Sequence, residues 1–147
     1  MTITQGNPDS DFFFTLTPDR ILDSVEAAFA NELRGVRSTG RCFALNSLEN
    51  RVYEIELENG KSVVAKFYRP NRWTKPAILE EHSFLTELFE SEIPVVCPLQ
   101  LLSSSTVSTL PEGILFSVFP KVRGRILQEL SEIQLMQIGR YLGRLHN

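Results

Sequence analysis

Lys66 interrupts an apolar run, Val63-Val64-Ala65-Lys66-Phe67-Tyr68, in which an ammonium group must snorkel off an edge or meet a negative partner. Glu81 belongs to a second segment, from about Lys75 to Ser91, whose apolar residues Ile78, Leu85, Leu88 and Phe89 recur at helical spacing. It follows Ile78 by three residues and precedes Leu85 by four, which predicts a place on the packing stripe, with Glu80 about 100° to the side. An acid there needs a cation. A lysine oriented by such a carboxylate can donate hydrogen bonds to a phosphate oxygen, and the same pair can equally be a structural bridge tying helix to strand. The loop Asn46-Ser47-Leu48-Glu49-Asn50 adds a hydroxyl and backbone N–H groups able to cap a phosphate, with Ser47 the best donor. It can also be a polar hairpin tip that satisfies its own backbone, and it lacks the glycines of a G-x-G-x-x-G loop.

Two further groups carry weaker chemistry. The run Lys66 to Lys75, KFYRPNRWTK, interleaves basic and aromatic residues without an acid, a pattern suited to single-stranded nucleic acid, but it is short and the chain as a whole is acidic, with net charge −3. His82 shares the helix face of Glu81 with no second ligand nearby, so a packed histidine is expected rather than a metal site. Cys42 and Cys97 sit on apolar segments without metal-ligand spacing and are expected to be buried thiols.

These groups need a scaffold. Arg41 to Leu45 reads as a short strand, and Val52 to Leu57 alternates, with Val52 and Glu54 on one face and Tyr53, Ile55 and Leu57 on the other. Asn59-Gly60 predicts a type I′ hairpin turn into the strand that carries Lys66. Thr17-Pro18-Asp19 starts a helix of about residues 18 to 33, with Ile21, Leu22, Val25, Ala28 and Phe29 as its apolar stripe. Leu99 to Leu102 and Gly113 to Phe119 read as a further pair of strands, and Pro120 to Arg125 as a connector. Ser131 caps a last helix with Leu135, Ile138, Leu142 and Leu145 at helical spacing, a stripe that calls for a partner surface or self-association.

With 147 residues and 42% hydrophobic composition the chain can bury one moderate core. The acidic balance argues against nucleic acid and membrane partners, and the polar amino terminus is not a signal peptide, so a cytoplasmic location is expected.

The segments FFFTLTPDRILDSVE, LNSLENRVYEIELENG, VVAKFYRPNRWT, ILEEHSFL, EIPVVCPL, ILFSVFPKVRGR and IGRYLGRLH, in this order, resemble the amino-terminal half of the bacterial stress response kinase A family. That family consists of serine/threonine protein kinases with an aminoglycoside-phosphotransferase-like fold. The resemblance implies an α+β, protein-kinase-like small lobe: a five-stranded antiparallel sheet with one packed helix, an extra amino-terminal helix, and the first helix of a missing large lobe. It divides the chain into a disordered tail (1–11), the small lobe (12–119), an inter-lobe linker (120–125) and the start of the large lobe (126–147). It also implies ATP and Mg2+ as cofactors. Ser47 and Asn50 would lie in the loop over the nucleotide, Lys66 would pair with the α- and β-phosphates, and Glu81 would orient Lys66, with Glu80 as fallback. Val52 and Ala65 would line the adenine slot, and Phe119, Lys121 and Val122 would form the linker that hydrogen-bonds adenine. Protein kinases place this lysine in a V-A-I-K context, whereas Val64-Ala65-Lys66 omits the residue between alanine and lysine. The general base and metal ligands are expected in the missing lobe, which leaves this chain inactive by itself. The rival readings are a small-molecule phosphotransferase of the same fold and a truncated interaction module.

Overall fold

Five strands form one antiparallel sheet within residues 16–125 and 127–146, the part of the chain that the computed structural model describes. The elements run α1 (Pro18–Ala28), a 3-10 turn (Asn31–Leu33), β1 (Ser38–Leu45), β2 (Arg51–Leu57), β3 (Ser62–Phe67), α2 (Lys75–Glu90), β4 (Ser108–Thr109), β5 (Leu115–Pro120) and α3 (Glu132–Leu145). The strand order is β1-β2-β3-β5-β4. The predicted polar tail and the Phe12-Phe13-Phe14 anchor lie outside the described residues.

Period-two alternation gives the sheet two chemically distinct faces. Ile55 and Leu57 of β2, Val63, Ala65 and Phe67 of β3, and Phe116 and Val118 of β5 share one core with Ile21, Leu22, Val25 and Ala28 of α1. Phe67 stacks on Phe116 with ring centroids 5.2 Å apart and meets Tyr53 edge-on at 6.0 Å. This outer face carries most of the burial. The inner face holds the intervening residues, and a smaller core of Tyr68, Ile78 and Val107 seats α2 against it.

Several local expectations change. The first helix ends at Ala28, because Phe29 turns extended, buries its ring and bridges to Leu101, and the Leu102 N–H caps the Ala28 carbonyl at 2.9 Å. Asn31 takes the left-handed conformation that short polar side chains tolerate, which begins the separate 3-10 turn. The segment Leu99 to Leu102 is therefore a strap over α1 and not a sheet strand; the missing strand is Ser108–Thr109, too short and polar to show a period. At Asn59-Gly60 only Gly60 has positive φ. Gly60 N–H bonds to Leu57 O and Leu57 N–H to Lys61 O, so the connection is a type I turn followed by a left-handed glycine bulge rather than type I′.

α2 starts at Thr74, whose hydroxyl accepts from Ala77 N–H, and proline follows in the first turn. Its buried positions are Ile78 and His82; Phe89 is exposed and Glu81 sits on the flank of the stripe, a correction to the expected packing position. α3 opens with the expected cap at Ser131, in a reciprocal box with Gln134. Arg144 ties it to the end of α2 by donating to the Ser91 and Glu92 carbonyls, while Leu135, Ile138, Leu142 and Leu145 remain exposed. Among the described residues no helix is long and apolar enough to cross a membrane.

Candidate functional site

The register of β2, β3 and β5 decides which predicted residues can act together. Val52 pairs with Lys66, Lys66 with Ser117, Glu54 with Val64, and Val64 with Phe119, so all of these side chains emerge on the inner face. Phe43 and Leu45 of β1, opposite Glu54 and Val52, extend the same face. The result is an apolar strip of Phe43, Leu45, Val52, Val64 and Phe119 with one ammonium group at its end.

Ala65 is not in this strip. It lies in the outer core with 0% exposure, one residue and therefore one face away from Lys66. Val64 takes the position two residues before the lysine that the alanine of V-A-I-K would occupy. Phe43 and Val64 were both legible in principle, since they share parity with Lys66 through the strand pairing; the missing information was the register, which a single sequence does not state.

Lys66 Nζ stands 3.8 Å from Glu81 Oε1 and 4.8 Å from the centre of the Tyr68 ring. The two side chains of the ion pair are 26% and 50% exposed, and so wet a pair contributes about 0–1 kcal/mol. That is too little to be what holds α2 on the sheet, which the apolar contacts of Ile78 and Tyr68 do instead. The geometry places a partly exposed ammonium at the end of the apolar strip and leaves its remaining donors free. Glu80 is exposed and forms no ion pair among the described residues, so Glu81 alone partners the lysine.

Beneath the pair runs a buried polar chain. His82 shares one hydrogen bond with the Tyr68 hydroxyl through Nε2 (3.3 Å) and another with Thr106 Oγ1 through Nδ1 (2.6 Å), and its ring meets Phe119 edge-on. Burial lowers the His82 pKa below the ordinary range; Glu81 opposes the shift and Lys66 adds to it. The Tyr68 phenol is pushed up to about 12, first by burial, with Ser117 opposing and Glu81 reinforcing. Its folded value exceeds the unfolded 10.0, so its stabilising share is complete below pH 10 and is lost as pH rises toward 12. A shift of this size is worth on the order of 2–3 kcal/mol. In a spectrophotometric titration, Tyr68 is expected to ionise only with alkaline unfolding. A Tyr68→Phe chain should lack that step.

At the hairpin tip, Asn50 N–H donates to Ser47 Oγ at 3.3 Å, the self-satisfying arrangement of a polar turn. That bond uses an oxygen lone pair and leaves the hydroxyl proton to be donated. Asn50 Oδ1 accepts from Arg69 N–H (3.2 Å) and Glu49 pairs with Arg72 (3.1 Å), so the tip is clipped to the exit of β3. The predicted adenine linker also shifts. Phe119 and Pro120 still belong to β5, and Lys121 N–H continues the ladder by donating to Ser62 O at 3.2 Å. The Lys121 amide is thus occupied, and its ammonium is paired with Glu54 at 2.6 Å. Val122 N–H has no partner among the described residues.

The other expectations resolve simply. Phe67 and Tyr68 are buried and Arg72 is paired, which leaves Trp73 as the one aromatic of the basic run open to stacking. Cys42 and Cys97 are free and half-buried rather than fully buried; burial raises the Cys42 thiol pKa, and Cys97 Sγ donates to Leu85 O. His82 is packed between two hydroxyls, as a core histidine would be.

No family model matches the chain. It is 42% identical over 134 residues to stress response kinase A of Escherichia coli and 38% identical over 140 residues to stress response kinase A of Salmonella choleraesuis. It is also 37% identical over 140 residues to serine/threonine protein kinase RdoA of Salmonella typhimurium. These alignments take in 91% or 95% of this chain and 38% or 40% of the relatives, so the chain spans about two-fifths of their length. In fold it is similar to an amicoumacin kinase solved with AMP-PNP, Ca2+ and Ami, with a TM-score of 0.72 at 24% identity over 93% of this chain and 41% of that one. A spectinomycin phosphotransferase solved with ADP and spectinomycin gives a TM-score of 0.68 at 16% identity over 87% of this chain and 37% of that one. The five-stranded sheet with α2 on its inner face has the fold of a kinase-like small lobe, and by sequence the chain is similar to stress response kinase A over the two-fifths of its relatives' length that it spans.

Proposed function

We propose that this lobe binds ATP on its inner face and that the protein it serves transfers the γ-phosphate to serine or threonine hydroxyls of other proteins. The observation that carries the reading is the Lys66–Glu81 pair at the end of an apolar strip. Phe43, Leu45, Val52, Val64 and Phe119 offer a flat hydrophobic surface to adenine, and the Val122 N–H with the Lys121 carbonyl offers one donor and one acceptor to its edge. Lys66 would donate to the α- and β-phosphates while Glu81 holds it in place, and the Ser47 hydroxyl would donate from the hairpin tip. Among the described residues no group of three or more His, Cys, Asp and Glu is gathered to hold a metal. Mg2+ would enter as a companion of ATP, and no residue of this lobe is assigned to it.

Protein hydroxyls are preferred as acceptor because a relative at 37% identity is named a serine/threonine protein kinase. The likeness to kinases of small molecules is a likeness of fold. Calorimetric titration of the chain with ATP tests the nucleotide site, and saturable binding that GTP does not match is expected. A full-length protein carrying this lobe, given labelled ATP with a protein extract or with spectinomycin, tests the acceptor. Label on phosphoserine or phosphothreonine is the expected result; label on the small molecule alone would replace this reading with the small-molecule one.

A further inference from the structure

The polar chain below Lys66 is more than the packing of a helix requires. Tyr68 is 3% exposed and His82 is 3% exposed, yet both keep their polar atoms bonded to one another and to Thr106, directly under the ammonium group. Apolar side chains of similar volume could seat α2 about as well, since replacing both partners of a buried hydrogen bond by apolar groups of the same shape can be nearly neutral. What the polar version adds is orientation. A held hydroxyl at the para position fixes the direction of the Tyr68 ring axis, and the ring presents its face to Lys66 Nζ at 4.8 Å, within cation–π range.

We propose that Tyr68 and His82 are positioning residues for Lys66: the Tyr68 ring supports the ammonium from below, and His82, braced by Thr106, locks that ring. This rests on the reading of Lys66 as the nucleotide lysine, and it adds two residues and a pH response to that site. The groups facing His82 among the described residues are Tyr68 and Lys66 from the β3 strand and its exit, Glu81 from its own helix, Thr106 from the loop before β4, and Phe119 from β5. While His82 is neutral, Glu81 has one cation to serve. Once His82 is protonated, two cations compete for one carboxylate and Lys66 is pushed from its place. Burial delays this to below the ordinary histidine range, so Lys66 is held at neutral pH and released in acid.

The test is NMR of the chain with 13C-labelled lysine, where Lys66 is one of only four lysines. An ammonium seated on a ring face gives an upfield-shifted ε-methylene signal. The expected result is such a signal at pH 7.5 that moves toward the free-lysine position as the His82 imidazole titrates. Tyr68→Phe keeps the ring but unlocks it, and Thr106→Val removes the brace from a half-exposed site; each should reduce the upfield shift without unfolding the chain. In His82→Gln the signal should stop responding to pH. ATP affinity should fall by about threefold to tenfold in Tyr68→Phe. A lysine signal at the free position in the wild type, or one indifferent to all three substitutions, overturns the proposal. If the lysine signal behaves as expected but no ATP binds to any of the proteins, the positioning stands and the nucleotide reading fails instead.

Discussion

Lys66→Ala is expected to weaken ATP binding by about tenfold to a hundredfold while leaving stability to urea almost unchanged. The first figure follows from removing charge-assisted hydrogen bonds to phosphate, worth roughly 1.5–3 kcal/mol. The second follows from the exposure of the Lys66–Glu81 pair, whose contribution to folding is about 0–1 kcal/mol. Glu81 is half-exposed, so the carboxylate left behind is solvated rather than stranded. The structural reading of the same pair makes the opposite forecast, in which stability falls and nucleotide affinity does not. Calorimetry and equilibrium denaturation on one pair of proteins separate them.

One position further along the strand the balance reverses. Phe67→Ala is expected to cost about 3–5 kcal/mol of stability, by the combined loss of transfer energy and the cavity left behind. Phe67 is 0% exposed, stacked on Phe116 and edge-on to Tyr53, at the centre of the core that joins α1 to the sheet. Neither neighbouring ring can fill the space without leaving its own strand position. Against a typical reserve of roughly 5–15 kcal/mol, such a loss should bring the chain close to unfolding at ambient temperature. A urea midpoint shifted by less than 1 kcal/mol's equivalent would mean that the outer core repacks freely, contrary to the tight aromatic cluster described here.

The contrast between these neighbours shows where the sequence could be read and where it could not. Lys66 stood out because a charge inside an apolar run is anomalous in one dimension, without any partner in view. Glu81 followed from helical spacing, although its place on the flank of α2 and not on the packing stripe depended on His82 taking the inner position. Ala65 was misplaced by analogy: a motif one residue short puts its alanine on the far side of the sheet, and only the pairing of β2, β3 and β5 exposes that. Likewise the Lys121 amide had one claimant in the sequence and another in the structure, because strand β5 runs on to pair with Ser62. The strand Ser108–Thr109 and the break at Phe29 had no local signature at all, since both are set by contacts with distant segments.

By itself the sequence determined the alternating strands, the starts of the helices with the Ser131 cap, and the chemistry of the lysine, for these rest on interactions between residues a few positions apart, whose spacing is the pattern. Tertiary structure alone decided which face each residue joined: that Val64 and Phe43 stand with Lys66, that Ala65 does not, and that a tyrosine, a histidine and a threonine meet beneath the ammonium. The reason is physical. Strand register and helix placement are chosen by burying one continuous core, and a shift of one residue, invisible in composition or spacing, exchanges every side chain between the two faces of the sheet.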